Sequence, residues 1–272
     1  TGGNMGTARL NLAGAGTQDA ALAFGGGAPN SAATEEYNGT AWTGGGTMTT
    51  ARYALAGCGL QTAALGFGGY VGPAGGLQNA TEEYNGTAWT GGGNLGTARY
   101  ATMGAGTQTA GLNFGGGFTA QTTTEEYNGT AWTAGGTMGT ARTYAAGCGT
   151  QTAGLAIGGL SPSTTTATEE YNGTSWTAGG ALPVAKNRLS AAGTQTAALG
   201  FGGKAPSTTA TTEKYDGSSW TSTTSMSTAR NALAGAGTQT SALAFGGETP
   251  PATVATEEFT GAGPVTVTIS GS

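Results

Sequence analysis

Histidine is absent from all 272 residues. Its absence removes a histidine metal site, a Ser-His-Asp triad and a Cys-His dyad together. Charge is scarce as well, with Asp, Glu, Lys and Arg making up only 8% of the chain. A net charge of −5 argues against the basic footprint that nucleic-acid binding requires. No apolar run approaches the roughly 18 residues of a membrane-spanning helix. Large aliphatic residues are few, a composition that taken alone points to disorder. Helix signals are nearly missing, because Gly, Thr and Asn recur faster than a helical stripe tolerates. Glycine, by contrast, is abundant at 55 residues, and its placement is regular.

Gly-Gly doublets end an apolar run at 25–26, 68–69, 115–116, 158–159, 202–203 and 246–247. Tyr37, Tyr84, Tyr127, Tyr171 and Tyr215 follow the same beat, with Phe259 in the sixth place. Trp42, Trp89, Trp132, Trp176 and Trp220 each stand five residues after the Tyr, and Pro264 occupies the sixth position. A loop cation recurs as Arg9, Arg52, Arg99, Arg142, Lys186 and Arg230. Six copies of about 44 residues therefore account for nearly the whole chain. Each copy reads as four short strands, such as 54–57, 62–67, 81–84 and 88–90 in the second. A Gly-Thr-Gln-type turn joins the first two strands. An Asn-Gly pair, the strongest two-residue hairpin signal, joins the last two.

Four strands per repeat, six times over, predict an all-β propeller with four antiparallel strands per blade. The order of Gly-Gly after an apolar strand, then Tyr, then Trp, then a loop Arg resembles the kelch repeat, and it spans all six units. That resemblance implies a six-bladed kelch-type β-propeller around a central channel. The phrasing Ala167-Thr168-Glu169-Glu170-Tyr171-Asn172-Gly173-Thr174-Ser175-Trp176 is also similar to Gly/Ala/Thr-rich kelch proteins of tailed phages of marine bacteria. One domain over 1–270 is expected, with 264–270 as a closing outer strand and 271–272 as a tail or linker. The alternation Val265-Thr266-Val267-Thr268-Ile269 carries the strand expectation. Residues 1–9 match the middle of the unit, so the chain is expected to belong to a longer protein or a larger assembly.

Adjacent Glu pairs recur in five copies, and the fifth copy reads Glu213-Lys214. Strand neighbours point to opposite faces, so such a pair does not form one acid/base or calcium site. The fifth copy changes its loop cation to Lys186 and its second Glu to Lys214, yet keeps Glu213. The first Glu is thus the expected partner of the cation. This pairs Glu35, Glu82, Glu125, Glu169, Glu213 and Glu257 with the six cations in a structural ring. Cys58 and Cys148 sit on inner strands two units apart, about 120° around a six-bladed ring. A disulfide there needs a radius below roughly 4 Å, so two free buried thiols are expected. Four of the five Asn-X-Thr sequons, all but Asn79, coincide with the Asn-Gly hairpin turns, which explain the Asn without glycosylation.

Strand parity places the variable loops 27–33, 70–80, 117–123, 160–167, 204–211 and 248–255 on one face. Within them Tyr70, Leu77, Gln78 and Lys204, together with Arg188 beside them, are the candidate ligand-binding residues. Arg188 is the one Arg outside the recurrent cation position. No cofactor, metal or catalytic residue is expected. The expected function is a non-enzymatic structural or interaction module, such as a phage virion appendage or adhesin domain, meeting a protein or a cell-surface glycan. A lectin-like glycan binder is one alternative. A metal-free sialic-acid mutarotase-like enzyme, known among kelch-type propellers, is another. No compartment follows from the residues, although a virion or extracellular surface suits the reading.

Overall fold

A computed structural model describes residues 2–27 and 29–261. The described residues form a six-bladed β-propeller without helices. The second blade shows the plan, with strands Ala56–Leu60, Ala63–Phe67, Thr81–Tyr84 and Trp89–Gly91 from the axis outward. All neighbours are antiparallel and paired in sequence order. The sixth blade has three described strands, Ala234–Gly237, Ser241–Phe245 and Thr256–Thr260. The outer strand expected over 264–270 lies outside the described residues, as do the tail residues 271–272.

The inner strand begins two residues later than the sequence suggests, at Ala56 rather than Ala54. Ala54 instead adopts a left-handed φ of 51°, which ends the extended run. Two loops read as irregular contain small hairpins, Leu160–Ser161 with Ser163–Thr164 and Lys204–Ala205 with Ser207–Thr208. Pro162 and Pro206 stand at their tips, where the fixed φ of proline helps and its missing N–H costs nothing.

The glycines of the inner strands follow from packing across blades. A Cβ on Gly57 would lie 2.4 Å from Phe24 Cζ, and one on Gly147 would lie 2.8 Å from Phe114 Cζ. The same contact recurs for Gly14 on Phe245, Gly104 on Phe67 and Gly235 on Phe201. In the fifth blade the residue is Ala191, and the preceding blade supplies Ile157 instead of Phe. A larger inner residue thus coincides with a smaller neighbour.

Recurrent side chains join the blades. Each turn Gln reaches back to the preceding blade; Gln108 Nε2 donates to the carbonyls of Ala64 and Tyr84, at 3.0 and 2.7 Å. Each Trp Nε1 donates to a Thr of the preceding blade, as from Trp89 to Thr34 Oγ1 at 2.8 Å. Each Tyr hydroxyl donates to the second Glu of the preceding blade, as from Tyr84 to Glu36 at 2.5 Å. The same set closes the ring: Gln18 donates to Ala242 and Phe259, Trp42 to Thr256, and Tyr37 to Glu258. Closure between the first and sixth blades therefore uses the same bonds as the junctions among the first five blades.

Candidate functional site

All six loop cations meet the first Glu of their own blade. Arg9 pairs with Glu35 at 2.7 Å, Arg52 with Glu82 at 3.0 Å, Lys186 with Glu213 at 2.6 Å and Arg230 with Glu257 at 2.8 Å. Arg99 pairs with Glu125 and Arg142 with Glu169 in the same way. Arg52 also donates through Nη1 to the carbonyls of Gly68 and Ala80, so the guanidinium ties the Gly-Gly turn to the third strand. Burial pulls the Arg52 pKa down, and the Glu82 charge pushes back against it. Apart from the half-buried Glu257, these groups are buried inside the blades, with Arg52 fully buried. They fix the link that carries the next feature.

Two residues beyond each loop cation, the chain reaches the mouth of the channel. Asn11, Ala54, Ala101, Tyr144, Arg188 and Ala232 stand there, all with left-handed φ between 49° and 54°. Their backbones form a closed circle. Ala54 N–H donates to Asn11 O at 2.8 Å, Ala101 to Ala54 at 2.7 Å and Tyr144 to Ala101 at 3.1 Å. Arg188 donates to Tyr144 at 2.8 Å, Ala232 to Arg188 at 2.9 Å, and Asn11 to Ala232 at 2.8 Å. Main-chain bonds alone hold the circle, so its side chains are free to differ. Three are Ala, and the other three are Asn11, Tyr144 and Arg188. Below the mouth the channel is walled by the inner strands, whose residues here are Ala, Gly, Ser190, Met103 and the two cysteines.

An aromatic arc extends from this mouth across the loop face. Tyr53 meets Tyr70 edge to face, with centroids 5.7 Å apart. Tyr70 meets Phe118 at 5.4 Å and Tyr100 at 5.9 Å. Tyr100 meets Phe118 at 4.7 Å and Tyr144 at 5.7 Å. The Tyr144 hydroxyl donates to that of Tyr100 at 3.2 Å, and burial with this contact raises the Tyr144 pKa. The Arg188 guanidinium lies 4.6 Å from the Tyr144 ring centroid, a cation–π contact. Its Nη1 is 3.9 Å from Glu248 Oε1, with both side chains partly exposed. Phe118 is 63% exposed, a large value for such a ring.

Of the five candidate residues, Tyr70 and Arg188 belong to this arc, separated by Tyr100 and Tyr144. Leu77 bridges the backbone of Tyr70 and is half-buried. Gln78 turns into its own loop, donating to Gly75 O at 2.8 Å. Lys204 is exposed on the same face, in a backbone bridge with Asn187, the neighbour of Arg188. Sequence reasoning missed Tyr53, Tyr100, Phe118 and Tyr144. The signal was present in the two columns after the loop cation. There Tyr53, Tyr100 and Tyr144 stand out against Leu10, Asn187 and Asn231 or against Ala54, Ala101 and Ala232.

The opposite face is uniform, built from the Asn-Gly hairpins and the Gln turns. Cys58 and Cys148 are free and buried in the inner strands, where burial pushes both thiols up to about 12. Among the described residues no group of His, Cys, Asp and Glu is arranged to hold a metal, and no helix is long and apolar enough to cross a membrane. The chain matches no family model and no curated protein.

Proposed function

We propose that this propeller is a non-enzymatic recognition module that engages its partner through the loop face. One observation carries the reading. In repeats otherwise built from Gly, Ala and Thr, five aromatic rings form one contiguous arc at the channel mouth. Buried aromatics here are accounted for by blade packing, but this arc is partly exposed and joins no blade core. Recognition surfaces draw on such rigid, amphipathic rings. A surface glycan suits the arc best, since the C–H face of a sugar ring lies flat on an aromatic face. The repetitive scaffold, which resembles kelch repeats of phage proteins, fits an adhesin or a virion appendage.

The test is binding to a glycan array by the protein and by a Tyr100→Ala, Phe118→Ala variant. Saccharide binding that falls by about ten-fold or more in the variant, with the melting temperature unchanged, supports the reading. Equal binding by both overturns it. The enzymatic alternative rests on the Arg188–Glu248 pair at the mouth. Acceleration of sialic-acid anomer exchange, followed by proton NMR and lost in Arg188→Ala, would favour it instead.

A further inference from the structure

The charges of this protein are distributed unevenly between its faces, and the distribution names a ligand class. Nine cations are present. Six are consumed by first-position Glu residues inside the blades. Lys214 lies 5.3 Å from the Phe259 ring centroid and donates to Gly261 O. The remaining two, Arg188 and Lys204, both stand on the loop face. Anions are spent elsewhere. The six first Glu residues are in the buried pairs, and five second Glu residues accept from the tyrosine hydroxyls of the next blade. Asp19 and Asp216 belong to the turn face, beside the Asn-Gly hairpin of Gly39 and in the Ser218–Ser219 turn. Only Glu248 stands near either cation, 3.9 Å from Arg188. A chain of net charge −5 thus presents a locally positive loop face, with one loose anion beside Arg188.

Resting on the glycan reading above, we propose that the loop face selects an acidic polysaccharide. Sugar rings lie along the arc from Tyr53 to Tyr144, and an anionic substituent is received by Arg188. The arginine is suited to this in three ways. Its guanidinium is a planar fork that binds a carboxylate or sulfate with paired hydrogen bonds. The Tyr144 ring holds that fork from below. Its present anion, Glu248, is distant at 3.9 Å and partly exposed, so a ligand oxyanion can displace it without leaving a buried charge unpaired. Lys204 adds attraction from the same face.

The experiment measures binding to matched oligosaccharides that differ only in charge. Oligogalacturonate is compared with its methyl ester, and a sulfated galactan with its desulfated form. An acidic member is expected to bind at least about ten-fold tighter than its neutral match, with the gap shrinking as salt rises. Whichever pair shows the gap identifies carboxylate or sulfate as the anion. Arg188→Ala abolishes the gap, and Glu248→Gln widens it. The first variant keeps the fold, because Ala already occupies this position at Ala54, Ala101 and Ala232 with the same φ. Phe118→Ala weakens acidic and neutral members alike. Equal binding within both pairs, or a gap that survives Arg188→Ala, overturns the charge inference and leaves the glycan reading standing. Binding to polyglutamate with none to any saccharide overturns both.

Discussion

Arg52 has no contact with solvent and makes four hydrogen bonds to atoms of its own blade. Removing one partner of a buried pair leaves the other charge stranded, at about 3–5 kcal/mol. Arg52→Met is therefore expected to lower stability by that amount in urea unfolding, with Glu82 left unpaired. The double variant Arg52→Met, Glu82→Leu should recover much of the loss. A double variant no better than the single one would show that the carbonyl bonds, rather than the charge, dominate. The tyrosines add a pH dependence. Burial first, and the Glu83 hydrogen bond second, push Tyr127 up to about 12, and Tyr215 shifts likewise. A raised pKa on an acid stabilises the fold below the unfolded value near 10. That contribution is lost as pH climbs toward 12. Denaturation midpoints should stay level to about pH 9 and fall between about 10 and 12, together with a late rise in tyrosinate absorbance. Ionisation of Tyr127 or Tyr215 near pH 10 without unfolding, resolved from the loop-face tyrosines by site-specific NMR, would contradict the assignment.

Strand sequences carry their compensation in the neighbouring blade. Gly147→Ala sets a methyl against Phe114 Cζ, and overpacking of this kind costs about 1–3 kcal/mol. Adding Phe114→Ile reproduces the natural combination of Ala191 with Ile157. The double variant is expected to be more stable than Gly147→Ala alone, with a coupling of about 0.5–3 kcal/mol by differential scanning calorimetry. Strictly additive effects would mean that the two side chains do not share this space. The Glu–Tyr junction shows the same logic. Where the fifth blade replaces its second Glu with Lys214, the sixth replaces Tyr with Phe259, and a cation–π contact stands in for the hydrogen bond. Much of the blade was legible in the chain, because Gly-Gly, Asn-Gly, Tyr and Trp act locally on turns and strands. The Arg–Glu pair was legible because the fifth copy varies the cation and keeps the first Glu. The Gln staples and the role of the second Glu were not, since the partners stand in a neighbouring blade, the preceding one for Gln and the following one for Glu. The aromatic arc was hidden for the same reason: Tyr70, Tyr100 and Tyr144 come from three different blades, and only the closed ring makes them neighbours.

Closure depends on a short segment at the start of the described chain. Met5 N–H donates to Val254 O, Gly247 N–H donates to Arg9 O, and Arg9 holds Glu35. Deleting residues 1–9 is expected to open the junction between the first and sixth blades. Small-angle scattering should show a larger radius of gyration, while circular dichroism keeps its β-sheet signal. A truncated protein with an unchanged radius would show that Gln18, Tyr37 and Trp42 suffice to close the ring.

The main-chain circle at the mouth has a consequence for how such a protein diversifies. Residues 11, 54, 101, 144, 188 and 232 are joined through amide and carbonyl groups alone, so exchanging their side chains leaves the linkage intact. The one demand is tolerance of a left-handed backbone, which Gly and then Asn meet most readily and which Ala, Tyr and Arg already meet here. A library randomised at these six codons would therefore vary chemistry at constant architecture. Folded members should be common, and selection could move through ligand space without first crossing a loss of stability.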